Sequence, residues 1–108
     1  MGIVIEGTMG ESWVAIAKRE RPGLVAIIRA SLKAEGTLIF GGQDLGDDVK
    51  PVWGDDEYEY EVVVPASEIG RVVLLLLKQK FDGDLEAVEK FKNFCETNEI
   101  VHRFDTWT

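Results

Sequence analysis

The chain is 108 residues long, the commonest size for one domain, and one domain spanning residues 1–108 is expected. Its 45% hydrophobic and 30% charged residues are ordinary globular proportions, which argue against a disordered, collagen-like or disulfide-built chain. The formal charge is −8, and it is concentrated: Asp44 to Glu61 hold eight carboxylates against Lys50 alone, whereas the rest carries twelve acids and eleven bases. Such a field repels a phosphate backbone and attracts a basic protein, so the expected partner is a basic protein and not a nucleic acid.

Residues 2–7 (GIVIEG) are β-branched and flanked by glycines, and Glu11 to Arg19 partly alternate, so the two predict a hairpin around Thr8-Met9-Gly10. This start also lacks the basic residues and long apolar stretch of a signal peptide. With one cysteine, Cys95, there is no intrachain disulfide, and a reducing, cytoplasmic setting is expected.

Arg21-Pro22-Gly23-Leu24 reads in two ways, as a type II turn between strands or as a helix entry with Pro22 in the first turn. We take the helix, over residues 22–35. Leu24, Ile27, Ile28, Ser31 and Leu32 share one face at helical spacing, and Gly36 stands where a C-terminal cap belongs. The alternative makes the N-terminal half an antiparallel meander. Thr37 to Phe40 then predict a short strand ended by Gly41-Gly42, followed by a long acidic loop over Gln43 to Asp56.

Glu57 to Val64 (EYEYEVVV) alternate, with Glu57, Glu59 and Glu61 on one side and Tyr58, Tyr60, Val62 and Val64 on the other: a strand with one wet and one packed face. Pro65 stops it. Ser67 can cap a helix to about Phe81 with Ile69, Val72, Val73, Leu76 and Leu77 buried; Leu74 and Leu75 lie off that stripe. The run Val72–Leu77 is six residues, against the roughly 20 that cross a bilayer, so no membrane span is expected. Asp84 can cap a further helix through Thr97, with Leu85, Val88, Phe91, Phe94 and Cys95 inward and Asn98 at its end. Ile100 to Trp107 predict a closing strand with Trp107 in the sheet or core. The order implies an α+β fold: one mixed, mainly antiparallel sheet with helices packed on one face.

The acidic segment is the foremost candidate site, because aromatic residues ringed by charge are the composition of binding hot spots. Asp47, Asp48, Trp53, Asp55, Asp56, Glu57 and Glu59 are the expected partner contacts, against the plainer reading of a solvated loop that keeps the protein soluble. Calcium is not expected there, since the spacing of the EF-hand is not matched. Cys95, His102 and Asp105 could in principle supply a nucleophile and base, but on the expected elements they face apart, so no catalytic residues are assigned. Gly41-Gly42 is followed by neither a dinucleotide fingerprint nor a P-loop ending, and no cofactor or metal is expected.

In its acidic, aromatic-bearing segment with Trp53, and as one small α+β domain without a catalytic motif, the chain resembles the small bacterial immunity proteins that counter polymorphic or contact-dependent toxins. That resemblance implies a monomer or homodimer that binds a cognate toxin domain, frequently a basic nuclease, and occludes its active site. The competing expectation is a homo-oligomeric adaptor or regulatory subunit that assembles through the apolar surface near Leu74 and Leu75.

Overall fold

The structure, a computed structural model, describes residues 2–8, 10–46 and 57–107. The fold is α+β. Five strands, β1 (Glu6–Thr8), β2 (Glu11–Arg21), β3 (Leu24–Leu32), β4 (Leu38–Leu45) and β5 (Glu57–Val64), lie side by side in chain order, and each neighbouring pair is antiparallel. A 3₁₀ turn (Ala66–Glu68) leads into helix α1 (Ile69–Phe81), and helix α2 (Ala87–Thr97) follows. Contacts group the chain into two compact units. One is Ile5–Gly70, which holds the sheet; the other is Met1–Val4 with Arg71–Thr108, which holds α2 and most of α1.

The N-terminal half is the antiparallel meander. The helix expected over 22–35 is instead the second arm of a hairpin, with Arg21 opposite Leu24 across a Pro22-Gly23 turn. Gly23 has φ 84°, the positive value that the third position of a type II turn demands. The supposed helical stripe is split by the pleat: Leu24, Ile28 and Leu32 stand on one face of β3, and Ile27 and Ser31 on the other.

Gly41-Gly42 do not end a strand. They sit inside β4, which runs on through Gln43 and Asp44 to Leu45, so the expected loop loses its first three residues to the sheet. Both glycines allow close approach of β5: Gly41 is paired with Glu61 and Gly42 with Tyr60. A Cβ on Gly42 would run into the Tyr60 ring. Gly46 follows with φ 125°; residues 47–56, the rest of that loop, lie outside the described residues, as does Met9.

Register assigns the faces of the sheet. One carries the rows Val14, Ala30, Phe40, Val62 and Ala17, Ile28, Gly42, Tyr60; the other carries Ala15, Arg29, Gly41, Glu61 and Lys18, Ile27, Gln43, Glu59. The first is apolar and the second polar. β2 keeps both patterns only by a bulge at Ile16, where the register shifts between Ala15 and Ala17.

In the helical unit α1 and α2 occupy nearly the expected spans. Ser67 lies in the 3₁₀ turn, where no side-chain bond caps the start; Pro65 supplies the carbonyl that receives the Glu68 N–H at 3.0 Å. Asp84 does not cap α2 as expected: Glu86 holds the N-cap position and no side-chain bond caps the helix, which starts two residues later than a cap at Asp84 would give. The Asp84 carboxylate instead accepts the Glu86 N–H at 2.9 Å, in the turn before the helix, and its carbonyl accepts the Ala87 N–H. Asn98 closes α2, its Nδ2 donating to the Phe94 carbonyl at 2.9 Å. The expected burial is only partly met. Cys95 is 3% exposed, but Val73, Leu76, Leu85, Val88, Phe91 and Phe94 are all exposed.

Residues 100–107 form no strand, and Trp107 is exposed rather than packed. β-propensity alone does not make a strand, and this segment joins no ladder of the sheet. Local contacts hold this segment instead: His102 Nδ1 lies 2.7 Å from the Ile100 carbonyl, Arg103 pairs with Asp105 at 2.8 Å, and Lys92 stands over the Phe104 ring.

Candidate functional site

Strand β5 places Glu57, Glu59 and Glu61 in a column on the polar face, because alternate residues of a strand project the same way. All three are exposed. Gln43, facing them from β4, donates Nε2 to Glu57 Oε1 at 2.5 Å and to Glu59 Oε1 at 3.1 Å, tying the first two carboxylates together with a neutral donor. A hydrogen bond with Glu57 is the main cause that raises the Glu59 pKa above its usual 4.5; repulsion from Glu57, desolvation and the Glu61 charge push the same way.

The cations of this face are engaged elsewhere. Lys18 pairs with Glu20 at 3.0 Å, Lys33 with Glu11 at 3.6 Å, and Arg29 lies over the Trp13 ring, 5.0 Å from its centroid. Among the described residues no lysine or arginine makes an ion pair with Glu57, Glu59 or Glu61. The register explains it: Arg29 shares a row with Glu61, but Gly41 intervenes. Two strand spacings place their backbones about 10 Å apart, near the distance over which salt screens exposed charges. The bare Gly41 floor leaves a shallow trough between them, with Glu59 and Glu61 on one wall and Arg29 and Lys33 on the other.

Of the seven expected contacts, Glu57 and Glu59 fall on this column; Asp47, Asp48, Trp53, Asp55 and Asp56 lie outside the described residues. Glu61 and Gln43 are additions. The Glu-x-Glu-x-Glu alternation already contains Glu61, whereas Gln43 becomes visible only when the β4–β5 register is known. Tyr58 and Tyr60 stack on the opposite face with ring centroids 5.6 Å apart, so the aromatics interleaved in sequence with the acids stand back to back with them.

The helical unit offers a second surface. Leu74 and Leu75 on α1 are 69% and 56% exposed, and Leu74, Leu77, Phe81, Val88 and Phe91 line an open apolar groove. His102, Cys95 and Asp105 do not converge. Cys95 is buried, Asp105 holds Arg103, and the described polar contact of His102 is with the Ile100 carbonyl. Among the described residues no cluster of three or more His, Cys, Asp or Glu could hold a metal ion, and no helix is long and apolar enough to cross a membrane. Comparison of the chain with protein-family models, with curated proteins and with solved structures returned no match.

Proposed function

We propose that this chain is an acidic protein-binding inhibitor of immunity type, which acts in the cytoplasm and neutralises a cognate basic, nuclease-like toxin domain by covering its active site. The observation that carries the reading is the column Glu57, Glu59 and Glu61, which among the described residues has no lysine or arginine paired with it and which is continuous in sequence with the acids Asp47, Asp48, Asp55 and Asp56. Fixed carboxylates can occupy the basic residues with which a nuclease holds phosphate. They also steer encounter, lifting association above the roughly 10⁵–10⁶ M⁻¹s⁻¹ of unsteered pairs. The test is capture from the native host by the wild-type chain and by a Glu57→Lys, Glu59→Lys, Glu61→Lys variant. The reading expects a basic partner that the wild type retains and the variant loses; equal retention by both defeats it.

A second reading, a homo-oligomeric adaptor, is favoured by the exposed Leu74 and Leu75. Surface leucines in a contiguous apolar patch mark an interface more often than they mark free solvent.

A further inference from the structure

A sheet has two edges, and this one treats them differently. At one end β1 covers β2 only from Glu11 to Trp13. The rest of that edge, Val14–Arg21, is interrupted by the Ile16 bulge and carries the Lys18–Glu20 ion pair, both devices that keep another strand from pairing there. At the other end β5 pairs with β4 over eight successive residues without a register shift, has no proline, and among the described residues has no strand on its outer side. Val62 and Val63, which point to opposite faces near its end, are 65% and 54% exposed.

A regular open edge carries a row of backbone donors and acceptors that recruits an extended segment. The side chains of β5 decide which segment. Directly opposite residues across a strand pair share a face, so a second copy of β5 in antiparallel pairing would set Glu57 against Glu61 and Glu59 against Glu59. Like charges so placed are unfavourable, and the edge rejects itself. We propose that the outer edge of β5 is a docking site for an extended segment of a partner protein in which lysine or arginine alternates with apolar residues. The basic residues would lie against Glu57, Glu59 and Glu61, and the apolar ones would continue the face of Tyr60 and Val62. This rests on the reading of the acidic face given above and adds to it the mode of engagement: backbone pairing, with charge as the selector.

The test uses the full chain and an eight-residue peptide alternating lysine and valine, followed by amide NMR of β5. The account expects the peptide to bind and to slow exchange of β5 amides. A peptide of the same composition with its lysines and valines in separate blocks should bind at least about tenfold more weakly. Methylating the backbone nitrogens of all lysines, or of all valines, keeps the charge and removes one row of donors; one of these two peptides should lose at least about tenfold in affinity. If both bind as tightly as the parent, or β5 amides are unprotected, edge pairing is wrong. Glu57→Lys, Glu59→Lys, Glu61→Lys should switch preference to an alternating glutamate–valine peptide. Should that variant not fold, the Glu57→Gln, Glu59→Gln, Glu61→Gln chain must bind the lysine–valine peptide at least about tenfold more weakly, and unchanged affinity overturns the proposal. The two ideas separate cleanly. A host partner that needs the β5 acids while backbone methylation has no effect removes edge pairing and keeps the basic-partner reading. Edge pairing by the peptides together with a host partner indifferent to those acids does the reverse.

Discussion

The Tyr60 ring lies over Gly42, its antiparallel partner in β4, and fills the space in which a side chain at position 42 would have to stand. Glycine normally weakens a strand, because it brings no packing and loses the most backbone freedom on folding. Here the cross-strand ring supplies the missing cover. Gly42→Val therefore displaces Tyr60 and should destabilise the chain by about 1–3 kcal/mol in urea unfolding. Against a Tyr60→Ala background the cost should shrink by about 1 kcal/mol. Strict additivity of the two substitutions would show that the ring and the glycine are not coupled.

Two carboxylates shift in opposite directions, and their pH signatures differ in sign. Glu59 is raised above 4.5, so the folded chain holds that proton more tightly than the unfolded chain does. The unfavourable contribution is complete above the raised value and fades as pH falls from there to 4.5. Asp84 is lowered below 3.8, first by its bond from Lys90 and then by the Glu86 N–H, so its stabilising contribution is present above 3.8 and disappears as pH falls through the depressed value. Glu59→Gln should raise stability at neutral pH and abolish the gain on mild acidification. Asp84→Asn should lower stability at neutral pH and flatten the acid limb below 3.8. Carboxyl NMR titration reads both groups directly, and a Glu59 midpoint at or below 4.5 would contradict the raising of Glu59 by its hydrogen bond with Glu57 and by the neighbouring carboxylates.

Cys95 is a packing residue and not a reactive one. Its thiol is buried on α2, while its carbonyl accepts the Ile100 N–H at 2.9 Å. Cys95→Ser leaves a buried hydroxyl in place of a soft apolar atom and should cost about 1–3 kcal/mol. A maleimide should label the native chain slowly and the urea-unfolded chain quickly. Rapid native labelling would place the thiol at the surface.

Leu74 separates the two functional readings. At 69% exposure its replacement by glutamate should change folding stability by less than about 0.5 kcal/mol. Sedimentation velocity then decides: the inhibitor reading predicts an unchanged oligomeric state, and the adaptor reading predicts conversion to monomer.

The elements that were legible in the sequence are those whose information is local. Glu57–Val64 alternates with period two and is bracketed by Pro65, and α1 and α2 show an apolar stripe at helical spacing, though neither starts on the side-chain cap expected for it. Leu24–Leu32 was not legible, because Leu24, Ile27, Ile28, Ser31 and Leu32 satisfy helical spacing as well as they fill two faces of a strand. What decides is pairing with β2 and β4, and the local sign of it is only Pro22-Gly23. Gly41-Gly42 reads as the end of a strand for the same reason: the tyrosine that makes a glycine useful there is 18 positions on. In the site, the glutamate column followed from alternation, but its neutral bridge, Gln43, and the cation kept away by Gly41 depend on register between strands.

If the β5 acids face outward to be met by a cationic protein, as proposed above, charge must govern the encounter. The association rate constant between the wild-type chain and the basic partner it captures, followed as sodium chloride is raised, reads this without intermediary. The account predicts a steep fall in rate with ionic strength, and a much flatter one for Glu57→Gln, Glu59→Gln, Glu61→Gln. A wild-type rate indifferent to salt would contradict it.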